Sequence, residues 1–162
     1  MSNARDIIFV GVVLALTTFV FFGTHYVMNT AVDEVITNPS INTSTYAVDA
    51  FNSVKSMSNR MDYIIFAIFV GMTLAVLVAG WLVAGNPLFM FLYILVLGIG
   101  IVISSVLTYV WDQLIASGKF PGTIAYFPIG NHLLSNLPIY IAVLGFLGIM
   151  VMFGKMYYQQ EY

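Results

Sequence analysis

Four stretches of this chain contain no Asp, Glu, Lys or Arg: Ile7–Met28, Tyr63–Ala84, Leu88–Val110 and Leu137–Phe153. Each is close to the ~20 residues that an α-helix needs to cross a ~30 Å hydrocarbon layer. In such a layer the backbone must satisfy its own N–H and C=O groups, and uninterrupted apolar runs of this length do so as helices. Composition leads to the same class. Of the 162 residues 60% are hydrophobic and only 7% charged, whereas a soluble domain carries about 25% charged residues. The expected fold class is therefore all-α and integral to a membrane, with four transmembrane helices in one domain covering residues 1–162.

The boundaries follow from local signals. Arg5 precedes the first run, which is longer than the ~7–15-residue apolar core of a secretion signal, so an uncleaved first span is expected. Beyond Met28 the chain becomes polar but keeps helical spacing through Val27, Ala31 and Val35, until Asn38-Pro39 stops it. Ser40–Thr45 reads as a short loop. It contains a formal glycosylation triplet, Asn42-Thr43-Ser44, read here as a chance occurrence. Ser44 or Thr45 caps a second helix, on which Tyr46, Phe51, Val54, Met57 and Met61 recur at helical intervals. No breaker separates this amphipathic helix from the second span. Spans one and two are thus expected to form a long helical hairpin whose tip, residues 29–60, extends beyond the bilayer.

Gly85-Asn86-Pro87 makes a tight turn, with Pro87 suited to the first turn of span three. Residues 112–136 are rich in aromatics, proline and glycine and read as an interfacial segment docked on the helix ends. Ser135 or Asn136 is expected to cap span four, with Pro138 in its first turn. That span runs over about 137–154. Both termini share one side. That side holds Arg5 and Lys155, against Lys55, Arg60 and Lys119 on the other, a balance that sets no orientation by the positive-inside rule.

The charge-free spans exclude most intramembrane chemistry. Ionisable groups mark proton relays and ion pathways, and there are none within these runs apart from His25 near the end of the first. No catalytic or metal constellation is visible. There is no cysteine, and no nucleotide, phosphate or zinc-protease motif. No enzyme activity, cofactor, metal or nucleic-acid partner is therefore expected, with membrane lipids the bound small molecules. His25 reads as an interfacial histidine bonded to a backbone carbonyl or a headgroup. His132 ties the interfacial segment together. Asp62 and Asp112 read as solvated interfacial charges, with Lys119 a possible partner for Asp62, and Trp81 and Trp111 as belt residues at opposite membrane faces. Small residues at Gly71, Ala75, Ala79, Gly98, Gly100, Gly145 and Gly148 mark helix–helix contacts, within the chain or between copies in a homo-oligomer. Hydroxyls at Ser104, Ser105 and Thr108 are assigned to packing. On the exposed tip, Tyr46, Phe51, Lys55 and Arg60 are the candidate partner-binding residues.

The second half carries a further pattern. Asn86-Pro87 opens an apolar span containing Tyr93, and Ser104-Ser105 stand near its end. An aromatic segment then reaches Asn131, followed by Leu133-Leu134-Ser135-Asn136-Leu137-Pro138 and an apolar last span. Over residues 85–154 this resembles the small integral membrane proteins of tailless icosahedral bacteriophages that hold a lipid membrane beneath the capsid. The resemblance implies a non-enzymatic virion component, present in many copies, that organises or curves the internal membrane and contacts capsid or other virion proteins. Its location would be that membrane, or the host bacterial cytoplasmic membrane before assembly. Two other readings fit the composition: a holin-like pore, and an accessory subunit of a cellular membrane complex.

Overall fold

The structure, a computed structural model, describes residues 2–83, 87–120 and 122–160. The described residues form helices and connecting turns, without a strand. The elements are α1 (Ser2–Thr37), α2 (Pro39–Asn42), α3 (Thr45–Ser58), α4 (Met61–Val83), α5 (Pro87–Ala116), a 3-10 turn (Thr123–Tyr126), α6 (Pro128–Ser135) and α7 (Leu137–Gln160). Four of the helical stretches are long and apolar enough to cross a membrane. They form a ring in the order α1, α4, α7, α5, in which α1/α4 and α5/α7 are antiparallel and α4/α7 and α1/α5 parallel, and α1 also touches α7 across the middle.

Local chemistry explains the boundaries. Asn38 has extended backbone, and its Oδ1 accepts from the Ser40 N–H at 3.0 Å, with Pro39 as the first residue of α2. Ser44 does the same for α3, its Oγ accepting from the Ala47 N–H at 3.4 Å. Helix α5 starts at Pro87. The Asn86 turn and the Ala79 side chain lie outside the described residues. The α6–α7 junction differs from expectation. Asn136 caps α7 through its backbone, its carbonyl accepting from the Ile139 and Tyr140 N–H groups, while its side-chain amide turns back to the His132 carbonyl at 2.9 Å. Pro138 stands in the first turn of α7.

The second arm of the hairpin is not one unbroken helix. It tightens at Asn59-Arg60, where the Arg60 N–H reaches the Met57 carbonyl and the Tyr63 N–H the Arg60 carbonyl. No proline or glycine forces this. The residues on either side are engaged elsewhere: Asn59 by α1 and Asp62 by α6. Asn59 stays in the right-handed helical region, so the axis is adjusted and not reversed.

Helix α1 has 36 residues and is therefore about 54 Å long at 1.5 Å per residue. A hydrocarbon layer takes up only about 30 Å of that. The rest of α1 is partnered by α3, which runs back along it.

Side-chain size sets the closeness of the ring. A Cβ on Gly145 would overlap the Leu97 side chain, and one on Gly148 the Tyr93 hydroxyl. The α5 and α7 backbones approach here, and the buried Tyr93 hydroxyl donates to the Gly145 carbonyl at 3.1 Å. Gly100 and Gly11 sit against Ile8 and Ile141, respectively. Gly71 and Gly98 have open space where a side chain would be, and Ala75 faces outward. Gly71 and Gly98 thus make no close approach within the chain. On α5 the inward face carries Tyr93, Leu97, Gly100 and Ser104, and Gly98 lies off that stripe.

Candidate functional site: a polar and aromatic collar

At the end of the ring opposite the termini, the spans give way to a collar built by α1, α3, the start of α4, α5 and the segment after α5. Its one buried carboxylate among the described residues is Asp62, only 3% exposed. Oδ2 accepts from the Ile129 N–H at 2.9 Å and Oδ1 from the Gly130 N–H at 2.7 Å. These are the second and third residues of α6, whose own N-cap, Phe127, offers no side-chain acceptor. The first N–H groups of a helix have no intrahelical partner and attract negative charge. Asp62 thus caps α6 from another helix. It is neither a solvated charge nor the partner of Lys119, because both of its oxygens face backbone N–H groups. Gly130 permits the approach, since a Cβ there would stand 3.1 Å from Thr18 and 3.2 Å from Asp62 Oδ1.

Helix α6 is held on its other side by α5. Trp111 Nε1 donates to Asn131 Oδ1 at 2.9 Å, Thr108 Oγ1 to the Leu134 carbonyl at 2.7 Å, and Ser135 Oγ to Asp112 Oδ1 at 3.2 Å. Trp111 is fully buried, with its ring edge-on to Phe19 and Phe22 at 5.4 and 5.2 Å. It is a core residue and not a belt residue, because α6 brings its indole N–H an acceptor, Asn131 Oδ1. Trp81 does face outward. Of the other hydroxyls, Ser104 and Ser105 both return to the Ile101 carbonyl.

The inner face of α1 beyond Thr18 is sheathed by aromatic rings. Phe22 contacts Phe120 and Phe127 edge-on, and Tyr26 meets Phe120 at 5.0 Å. His25 lies between Tyr126 and Phe127, at 4.9 and 5.2 Å. Protein therefore covers one side of the last two apolar turns of the Ile7–Met28 run.

His25 is buried and bonds Asn59, across the hairpin, with Nε2 and Oδ1 2.9 Å apart. With Oδ1 as the acceptor, Nε2 carries the proton; Asn29 Nδ2 also lies beside the ring, 3.1 Å from Nε2 and 3.3 Å from Nδ1, of which only Nδ1 is then free to accept. Its partner is an asparagine side chain, not the carbonyl or headgroup expected. One turn further out, Lys55 Nζ meets Asp33 Oδ1 at 2.7 Å. His25, Asn29, Asp33, Lys55 and Tyr126 line a cavity of about 280 Å³. Among the described residues no three His, Asp or Glu side chains converge as metal ligands would.

The partner-binding candidates divide. Lys55 turns toward α1 through its ion pair and Phe51 is half-buried, whereas Tyr46 is 90% exposed and Arg60 is exposed at the turn. His132 ties the segment together through its backbone carbonyl, and its ring faces Tyr140 at 6.1 Å. Asp33, Asn59 and Asn131 are collar residues that sequence reading missed. Asn59 alone had a local signal: it is an uncharged polar residue close to the end of an apolar run. No protein family, curated protein or solved structure matches this chain.

Proposed function

We propose that this is a non-enzymatic structural protein of a phage virion, spanning the internal membrane and linking it to the capsid through the α1–α3 hairpin. One observation carries the reading. The hairpin is long and is pinned at two successive levels, by His25–Asn59 and Lys55–Asp33, while Asp62 fixes its base. A membrane anchor that transmits position to a shell needs such a stiff projection. A pore has no use for one.

The collar's main polar groups bond one another, His25 with Asn59, Lys55 with Asp33 and Trp111 with Asn131. The exposed Tyr46 and Arg60 offer an aromatic and a cationic contact for a partner, residue types favoured where proteins meet. The resemblance over residues 85–154 supplies the phage setting.

Mass spectrometry of purified lipid-containing phage particles is the test. The chain recovered in many copies, and crosslinked through Tyr46 or Arg60 to a capsid protein, supports the proposal. Rapid dye leakage from cells expressing the chain alone, or its isolation from uninfected cells with a fixed enzyme complex, overturns it.

A further inference from the structure

Between α4, α6 and α7, just beneath the collar, lies a groove of about 370 Å³. Phe66, Phe69, Ile129 and Leu133 form its apolar walls, and His132 and Tyr140 stand with them. Phe69 and Tyr140 pack edge-on at 5.4 Å. Two features separate it from an ordinary furrow between spanning helices. The His132 ring and the Tyr140 hydroxyl make no hydrogen bond among the described residues, although each is a capable donor. They also sit at one end of an apolar bowl, where the first apolar turns of α4 leave the polar collar.

We infer that this groove holds one phospholipid molecule of the surrounding bilayer, its acyl chain against Phe66, Phe69 and Leu133 and its phosphate or ester oxygens bonded to His132 and Tyr140. The inference rests on α4 and α7 spanning a membrane. Lipid is then the solvent of this face, so the occupant is already present at high concentration. A cavity of this size lies within the range of small-molecule sites, which combine apolar walls with a few convergent polar groups. A second groove lies between α1 and α4, lined by Phe9, Val10, Met72 and Val76, but it carries Asp6. A carboxylate repels a lipid phosphate, so that groove serves as an internal control.

The experiment is native mass spectrometry of the full chain released from nanodiscs of phosphatidylethanolamine and phosphatidylglycerol. The wild type is expected to keep one phospholipid per chain at energies that strip loosely held lipid. The double variant His132→Leu/Tyr140→Phe should lower the retained fraction at least fivefold. Tyr140→Phe alone, which removes a single oxygen and leaves the fold undisturbed, should lower it about twofold. Phe9→Trp should leave it unchanged. A lipid-free wild type, equal retention in the variants, or closure of the groove by a second copy of the chain without lipid would overturn the inference and leave the membrane-spanning reading intact. A chain that stays in solution without detergent or nanodisc would overturn both.

Discussion

The two ends of the helix ring are held together by different physics. In the α5–α7 seam, cohesion comes from shape. Gly145 and Gly148 let Leu97 and Tyr93 approach the α7 backbone, and the hydrogen bond from Tyr93 to the Gly145 carbonyl is the polar contact found there. In the collar, cohesion comes from satisfied polar groups inside an aromatic shell: Asp62 on two N–H groups, Trp111 on Asn131, and His25 on Asn59. Packing between smooth helices tolerates lipid on all sides, because nothing there needs water. A helix end brings orphan N–H groups, and these need a partner wherever they are buried. The chain meets that need where its spans end.

Substitutions should separate the two regimes. The largest effect is expected for Trp111→Ala, which empties a fully buried site and removes the indole donor from Asn131. A loss of about 3–5 kcal/mol is typical of such truncations, read as a lowered midpoint of unfolding in detergent. Gly145→Val comes next, at about 1–3 kcal/mol from overpacking against Leu97. The companion change Leu97→Ala should recover part of it, and failure to do so would remove the seam from this comparison. Asp62→Asn should cost about 1–3 kcal/mol, because an amide presents donors to donors where two buried N–H groups need acceptors. Hydrogen exchange should then rise at Ile129 and Gly130 and not in α7. Asn59→Ala removes one buried hydrogen bond, worth about 1 kcal/mol, and should loosen α3 while leaving the seam unchanged. Lys55→Ala should cost the least, below about 1 kcal/mol, since both members of its ion pair are part-exposed. Added salt should erase that difference and none of the others.

Much of this contrast could not be read along the chain. Gly145, Gly148 and Gly100 were legible as close-approach positions because small residues stand out in an apolar helix. Which small residues face inward was not, since Gly98 and Gly100 differ only by rotation about the helix axis. Asp62 and Trp111 were visible but misread. An acid at the end of a span and a tryptophan near a membrane face normally meet water and headgroups. Here a segment more than 60 residues further along the sequence from Asp62 folds over it, and the same segment covers Trp111. The break at Asn59-Arg60 has no local cause and follows from bonds to α1 and α6.

By itself the sequence determined the helical class, the four apolar spans, the end of the first helix before Pro39, the cap at Ser44, and the extension of that helix well beyond membrane thickness; the short helix α2, capped by Asn38, stands where a loop was expected. Each of these is set by hydrophobicity and backbone chemistry over a few neighbouring residues. The tertiary structure alone decided that His25 would meet Asn59, that Asp62 would cap α6, and that His132 and Tyr140 would stand unbonded at the end of an apolar groove. Partners brought together from distant positions depend on helix rotation and register. Those are fixed only when the four helices and the returning segment pack against one another.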